Sequence, residues 1–499
     1  MDNYKYFNYI YILILSIKLL FSQSTIKSNR TALPVYALNQ ELEFSSLKES
    51  SNNDFPSIYH LSFNINYIVN IGHPNIDNTA EIYAPGPLAK SISLRYEYGN
   101  KWLQLELEPY MLNHSSIIKN DESLGTYHAN NNYNYKNIQN HKNFGFRQSR
   151  IIVHYNGLGV GYGNMSHWWG PGFHSALSLS SNSPSQETYA IGTFKDIRWY
   201  QFSFGAQIIV MPYTSTLDNK LYFSGLKFHI SHHSNSAIIT LGGHRTYMSG
   251  KIEQSSSSNI KRKNWSIYDA ARLVVEPLFG QDKTNLDYTD VGTPGFDPWD
   301  EILTGYFKIE FLESKVQIYA DIASNDNRGN LLDLKAHWDH TLAYQIGFKK
   351  INSLDNFNIL LGVEYLTTRI SNTFKPDFYR GHEIDNYYAS SQYDYFTYNG
   401  RRMGAHSGSS SDDLILIVGL SDQKKSAFIS FNKERHGIKR FINPEIKSEI
   451  NLSYSQKLKK KHTVSITYEY EKINNYSFIQ NNTSFSTIIW FGYTFIINK

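Results

Sequence analysis

Apolar and polar residues alternate along much of this chain with a period of two. Ile92, Leu94, Tyr96 and Tyr98 alternate with Ser93, Arg95 and Glu97; beyond the tight-turn dipeptide Gly99-Asn100, Leu103, Leu105 and Leu107 alternate with Gln104, Glu106 and Glu108. Successive side chains of a β-strand point to opposite faces, so each run predicts a strand with one apolar and one polar side, and the two together predict a hairpin. Phe307, Ile309 and Phe311 against Lys308 and Glu310, then Val316, Ile318 and Ala320 against Gln317 and Asp321, predict a second hairpin across Glu313-Ser314. Phe357 to Tyr365, Ile450 to Tyr454 and Val464 to Tyr470 repeat the pattern, with lysines crowding the turn between the last two. Ile489, Phe491, Tyr493, Phe495 and Ile497 alternate as a closing strand would.

A soluble sandwich of sheets would alternate in the same way. The connections favour a barrel instead: short turns such as 99–100 and 313–314 alternate with long polar stretches at 113–145, 251–264, 280–300 and 371–412. Outer-membrane barrels combine short periplasmic turns with long external loops, and carry aromatic residues at strand ends. Aromatic residues make up 15% of the chain, which suits such girdles, and 41% hydrophobic against 18% charged excludes a disordered polypeptide. The expected fold is all-β: a transmembrane outer-membrane barrel of antiparallel strands with long external loops.

Charge and leader sequence agree with export. A net charge of +4 on 499 residues lacks the basic footprint of a nucleic-acid binder. Without cysteine there is no disulfide framework, thiolate metal site or acylated lipoprotein cysteine. Residues 1–22 place Lys5 before an apolar run from Ile10 to Phe21 and reach the small residue Ser22, which reads as a signal peptide cleaved before Gln23. That run is interrupted by Lys18 and is short for a spanning helix, and no later stretch approaches one, which leaves strands as the means of crossing a membrane. The expected organisation is a signal peptide over 1–22, an N-terminal periplasmic segment over 23–64 and a barrel over 65–499. The expected location is the outer membrane, among its lipids, with barrel-assembly machinery as a partner during biogenesis.

One motif stands apart from the alternation. Residues 167–183 read HWWGPGFHSALSLSSNS, in which Trp168, Trp169, Gly170, Pro171, Gly172, Ser175, Leu177, Leu179, Ser181 and Asn182 match the tryptophan-rich signature of the Wzi-type capsule assembly proteins; Ser183 departs from it. HPNIDNTAEIYAPGPLAKSISLRYEY at 73–98 and WLQLELEPYML at 102–112 resemble earlier parts of that family. Tyr398, Gly400, Arg401, Met403, Gly404, Ala405, Ser409 and Asp412 resemble its late Gly/Ser-rich element. The resemblance covers about residues 65–495. It implies a barrel of about 18 strands that binds capsular polysaccharide and helps attach it at the cell surface, a lectin-like role without catalysis. A diffusion porin or transporter is the alternative function for such a barrel.

Carbohydrate recognition calls for flat apolar faces beside hydrogen-bonding groups, and an acidic polymer adds a demand for arginine or lysine. The candidate polysaccharide-binding residues are Trp168 and Trp169, the flanking His167 and His174, and Tyr398 with Arg401 and Arg402. Each has a structural alternative. The tryptophans would also serve to pack a plug or line an interfacial girdle, and the arginines to brace the lumen through Asp412 and Asp413. Lys261, Arg262 and Lys263 beside Trp265 form the densest basic run, of the kind usual at solvated loop tips. No catalytic or metal site and no cofactor is expected. His232 and His233 would point to opposite faces of one strand and so not join His244 on a metal, and His406 with Ser407, Ser409 and Asp412 lacks a nucleophile elbow.

Overall fold

The computed structural model describes residues 58–73, 75, 77–82, 87–114, 144–214, 220–250, 266–275, 299–325, 342–354, 356–369, 387–388, 396–399, 401–422, 424–438, 441–459 and 461–498. The expected signal peptide over 1–22, most of the long polar stretches and the Lys261–Lys263 run with Trp265 lie outside them.

Eighteen antiparallel strands close into one barrel. The first six are β1 (Ile58–Gly72), β2 (Leu88–Gly99), β3 (Leu103–Leu107 continuing as Pro109–His114), β4 (Phe144–Phe146 continuing as Ser149–Tyr155), β5 (Leu158–Met165) and β6 (Gln186–Thr193 continuing as Ile197–Trp199). The next six are β7 (Phe202–Thr214), β8 (Lys220–His233), β9 (Ala237–Gly250), β10 (Trp299–Phe311), β11 (Val316–Asn325) and β12 (Leu342–Leu354). The last six are β13 (Phe357–Thr367), β14 (Asp412–Ser421), β15 (Lys425–His436), β16 (Glu445–Lys459), β17 (His462–Asn474) and β18 (Thr483–Asn498). Each strand pairs with its neighbour in sequence, and β18 returns to β1 through Phe63–Phe495, Ile65–Tyr493 and Tyr67–Phe491, so no edge is left open. Among the described residues the barrel wall reaches back to Ile58, since Ile58 to Phe63 pair with Gly99 to Leu94 of β2.

Both predicted hairpins form. Asn100 builds the first turn by accepting the backbone N–H groups of Trp102 and Leu103 on its Oδ1, each at 2.8 Å. Between β10 and β11 the chain turns through Lys315 at φ 50°. Another short turn, Asn156-Gly157 between β4 and β5, has φ of 51° and 89°, the left-handed pair that a two-residue hairpin matched to strand twist requires. Turns of two to four residues gather at one end of the barrel, and the connections at the other run from five residues to more than forty. The longest of these contains a helix absent from the strand-based reading, α1 (Ile267–Val275). Ser266 and Asp269 cap its start reciprocally, and Ala270, Leu273 and Val274 bury against Val210, Tyr222, Tyr247 and Trp299.

Burial assigns the two faces. The apolar set of every predicted strand looks outward, as with Ile92 and Leu94, Leu452 and Tyr454, and Phe491, while Ser93, Arg95, Asn451 and Ser453 look into the lumen. An apolar exterior around a closed strand cylinder is what lipid demands, since every backbone polar group in the hydrocarbon is paired. The protein is an outer-membrane β-barrel. Ile466 is 47% exposed and its neighbour Thr467 only 1%, with the Thr467 hydroxyl 3.0 Å from that of Ser453. Ile466→Arg is therefore expected to cost about 2 kcal/mol of barrel stability in a bilayer, whereas Thr467→Ser, which keeps the hydroxyl, costs little. Folded fractions in lipid vesicles, read from the heat-modifiable band on gels, check this; equal fractions for Ile466→Arg and wild type would reverse the face assignment.

Candidate functional site

Three segments from the long-loop end turn inward and meet inside the barrel. The first is the stretch after β1, containing Asn75, Asp77, Asn78, Ala80 and Glu81. The second is the connection from β5 to β6, which carries the tryptophan motif. The third precedes β14 and contains Tyr387, Tyr388 and a two-rung hairpin of Thr397–Tyr398 with Arg401–Arg402.

Backbone groups bind these segments together. Trp169 donates its N–H to Leu179 O and Ser180 donates to Met403 O, at 3.0 and 2.7 Å. The Tyr388 hydroxyl donates to Leu177 O and accepts from Ala405 N. Asn182 joins all three segments: its Oδ1 accepts from Asn78 N, and its Nδ2 donates to Arg402 O. Ser175, Leu177, Leu179, Ser181 and Asn182 of the motif are all buried. On the β7–β13 side Trp169, Leu177 and Leu179 pack with Ile209, Met211, Phe223, Tyr388, Phe396 and Met403 as an apolar core inside the barrel.

A carboxylate on the wall anchors the turn of the tryptophan motif. Glu364 of β13 accepts the backbone N–H groups of Phe173, His174 and Ser175 at 2.5, 3.2 and 2.8 Å, together with the Tyr319 hydroxyl. Gly170 has φ 124°, a conformation open chiefly to glycine, and a Cβ there would meet Asp321 Oδ2 at 2.8 Å. The Gly-Pro-Gly sequence lets the backbone approach the wall this closely.

The β14–β18 side of the lumen is charged. Lys447 on β16 is buried, with its Nζ at 2.6 Å from Asp77, 2.9 Å from Glu434, 3.1 Å from Glu471 and 3.3 Å from Glu449. His73 pairs with Glu471, His436 with Glu434 and Glu445, and Asn75 donates to Glu469 and Glu471. Burial alone would raise the Asp77 carboxyl, but the ammonium of Lys447 and the His406 imidazole outweigh it and hold the group down at about 2. For His174, burial disfavours the proton, while the carboxylates of Asp413, Glu364 and Glu434 draw it on and lift the imidazole to about 9.

The candidate residues read from sequence therefore fall in different places. Trp169 is buried, with the ammonium of Lys227 over its ring at 5.5 Å and His244 edge-on to it. Trp168 is half-buried and lines a cavity of about 100 Å³, open to solvent, between the plug and the short-turn end. Lys227, His233, Tyr306, Lys308, Glu310 and Lys349 also line it. His167 sits over a neighbouring, smaller cavity with its Nε2 3.1 Å from the Thr188 hydroxyl. His174 is inside the charged cluster, 3.2 Å from Asp413. Tyr398 packs edge-on against Tyr213.

Arg401 and Arg402 are buried and face protein, not solvent. Arg401 donates to Ala80 O and to the Thr79 hydroxyl, and Arg402 lies over the Tyr388 ring at 4.5 Å. Their bracing partners are these groups. Asp412 pairs instead with Arg369 and Arg435, and Asp413 with His174 and His406. His232 and His233 do point to opposite faces: the His232 ring lies against the outward Phe202 at a tilt of 52°, and His233 meets the Ser203 hydroxyl inside. Sequence reasoning missed Lys447, Glu434, Glu364 and Lys227, although each occupies the polar phase of an alternating strand.

No protein-family model and no curated protein matches the sequence. Solved structures do match the fold. Over 92% of this chain and 88% of the other, the barrel superposes on Wzi of Escherichia coli at a TM-score of 0.56 and 13% identity; that protein is described as an outer-membrane protein involved in group 1 capsule assembly and a carbohydrate-binding β-barrel. OprD of Pseudomonas aeruginosa aligns over 90% of this chain and 96% of its own at a TM-score of 0.44 and 8% identity. Acinetobacter baumannii OccAB2 gives 0.44 and 8% over 88% and 98%. What is shared at these identities is the fold of an outer-membrane barrel.

Proposed function

We propose that this protein is a Wzi-type outer-membrane lectin that binds capsular or another surface polysaccharide and helps assemble or attach it at the cell surface. No catalytic step is part of this role. The observation that carries the reading is the filled lumen. A diffusion porin keeps a water-filled path between its ends, whereas here three infolded segments, hydrogen-bonded to one another and to the wall, occupy the barrel among the described residues. The tryptophan motif that organises this plug is the stretch whose sequence resembles the capsule-assembly family. It also presents Trp168 to a solvent-open cavity whose walls supply Lys227, Lys308, Lys349 and Glu310. An indole face beside ammonium and carboxylate groups meets both the C–H face of a sugar ring and its polar edge.

The test combines conductance with binding. In planar bilayers the purified barrel is expected to show no large, steady channel, and in solution to retain polysaccharide prepared from its own host's surface. Trp168→Ala is expected to weaken that retention about tenfold while leaving the heat-modifiable barrel intact. A gene deletion should shift polysaccharide from the cell-bound to the free fraction. Open, ohmic conductance together with unchanged polysaccharide distribution would favour the diffusion porin.

A further inference from the structure

The two larger infolded segments and the wall bring three ligating side chains to one buried point. His174 comes from the tryptophan segment, His406 from the segment before β14, and Asp413 from β14 itself; their ligand atoms all lie within 4.8 Å of one another. Nε2 of His174 is 3.2 Å and Nε2 of His406 3.3 Å from the same oxygen, Asp413 Oδ2. The two imidazoles stand at 84° to each other with ring centres 4.8 Å apart.

The two histidine-to-aspartate spacings are close to a metal's coordination edges, and the remaining ligand-atom spacing, within 4.8 Å, would shorten as the imidazoles turn onto an ion. Ligand atoms bound at about 2.0–2.1 Å to a tetrahedral ion are roughly 3.3–3.4 Å apart. Asp413 Oδ2, although two imidazole nitrogens face it, meets no donor at hydrogen-bond angles, and Asp413 is 1% exposed. An oxygen so deeply buried and so placed is costly unless a positive charge, whether an imidazolium or a bound cation, sits in front of it. The surroundings supply the outer support that ligating groups need. Asn432 Nδ2 holds the other oxygen, Asp413 Oδ1, at 2.6 Å. Asn432 Nδ2 also lies 3.1 Å from His174 Nε2, a contact that an ion bound by this nitrogen would displace. Glu434 Oε1 is 3.5 Å from His406 Nε2 and 2.9 Å from Lys447, and adds a second negative charge beside the point where the ligands converge.

We propose that His174, His406 and Asp413 bind a divalent cation of the zinc class, with water or Glu434 completing a tetrahedron, and that the ion pins both infolded segments to the barrel wall. Two imidazoles and a carboxylate form the borderline donor set that suits zinc better than calcium or magnesium. The site is structural, and it holds whether or not the barrel binds polysaccharide.

Full-length protein extracted from membranes in detergent, loaded with excess zinc and desalted, is expected to retain about one zinc per chain by elemental analysis. The double variant His174→Ala/His406→Ala is expected to retain none. Cobalt(II) added to chelator-treated wild type should give the intense visible absorption of a tetrahedral N/O site and lose it on addition of zinc, a measurement that needs no variant to fold. Chelation should lower the temperature at which the folded band converts to the unfolded one, and zinc should restore it. Asp413→Asn preserves the shape of the residue and should abolish the cobalt spectrum. Wild type that keeps no more metal than the double variant, or a cobalt spectrum unchanged by Asp413→Asn, would overturn the site.

Discussion

Lys447→Met is expected to leave little folded barrel. The Lys447 ammonium is the cation shared by Asp77, Glu434, Glu449 and Glu471, all within 3.3 Å of it. Removing one member of a buried ion pair costs about 3–5 kcal/mol, most of it from the charge left behind without a partner. Here several carboxylates lose the same partner at once. Methionine fills a similar volume, so the loss is electrostatic and not a cavity effect. Neutralising the stranded acids should restore part of the stability: Lys447→Met combined with Glu434→Gln and Glu471→Gln is expected to recover most of the folded yield. The temperature of the gel-mobility shift reads both changes. A Lys447→Met barrel that converts at the wild-type temperature would mean that the network contributes nothing to holding the plug.

The strand pattern was legible because the barrel wall separates two solvents. Lipid on one side and a polar lumen on the other force every strand into strict alternation, and so Ile466 and Thr467, or Leu452 and Ser453, could be assigned to faces from sequence alone. The start of β1 was harder to see, because Ile58 to Leu61 precede the clearest part of its alternation and only their pairing with β2 defines them. Inside the barrel, period-two logic says that Lys447, Glu434 and Glu471 point inward, but it does not say that they meet: that depends on the register of β15, β16 and β17 and on a loop that delivers Asp77 from the other end of the chain. Arg401 and Arg402, in a Gly/Ser-rich stretch, carried the appearance of accessible cations. What covers Arg401 is the arrival of Thr79 and Ala80, and Arg402 lies over the Tyr388 ring, contacts that no local pattern announces. Likewise His174 and His406 belong to different segments and converge only through the plug, whereas the histidines that stand together in sequence, His232 and His233, diverge.

Glu364→Ala is expected to turn a closed barrel into a leaky one. The Glu364 carboxylate is the acceptor for three consecutive backbone N–H groups, those of Phe173, His174 and Ser175, and for the Tyr319 hydroxyl, all buried. Hydrogen bonds to a charged group contribute about 1.5–3 kcal/mol each, and a buried donor left without an acceptor costs a further 1–3 kcal/mol or so. Alanine offers these four donors nothing, so the turn after Gly-Pro-Gly should leave the wall and seek water. The strands themselves are paired independently of this contact, and β13 keeps its ladders to β12 and β14. The expected result is thus a barrel that still assembles and still resists detergent until heated, but conducts ions in bilayers and admits large antibiotics into cells carrying it. Glu364→Gln keeps one acceptor oxygen without the charge, and its conductance should fall between wild type and alanine. Wild-type conductance from a folded Glu364→Ala barrel would show that the segment is held in place by its apolar packing around Trp169 and Leu177, and that the carboxylate is dispensable.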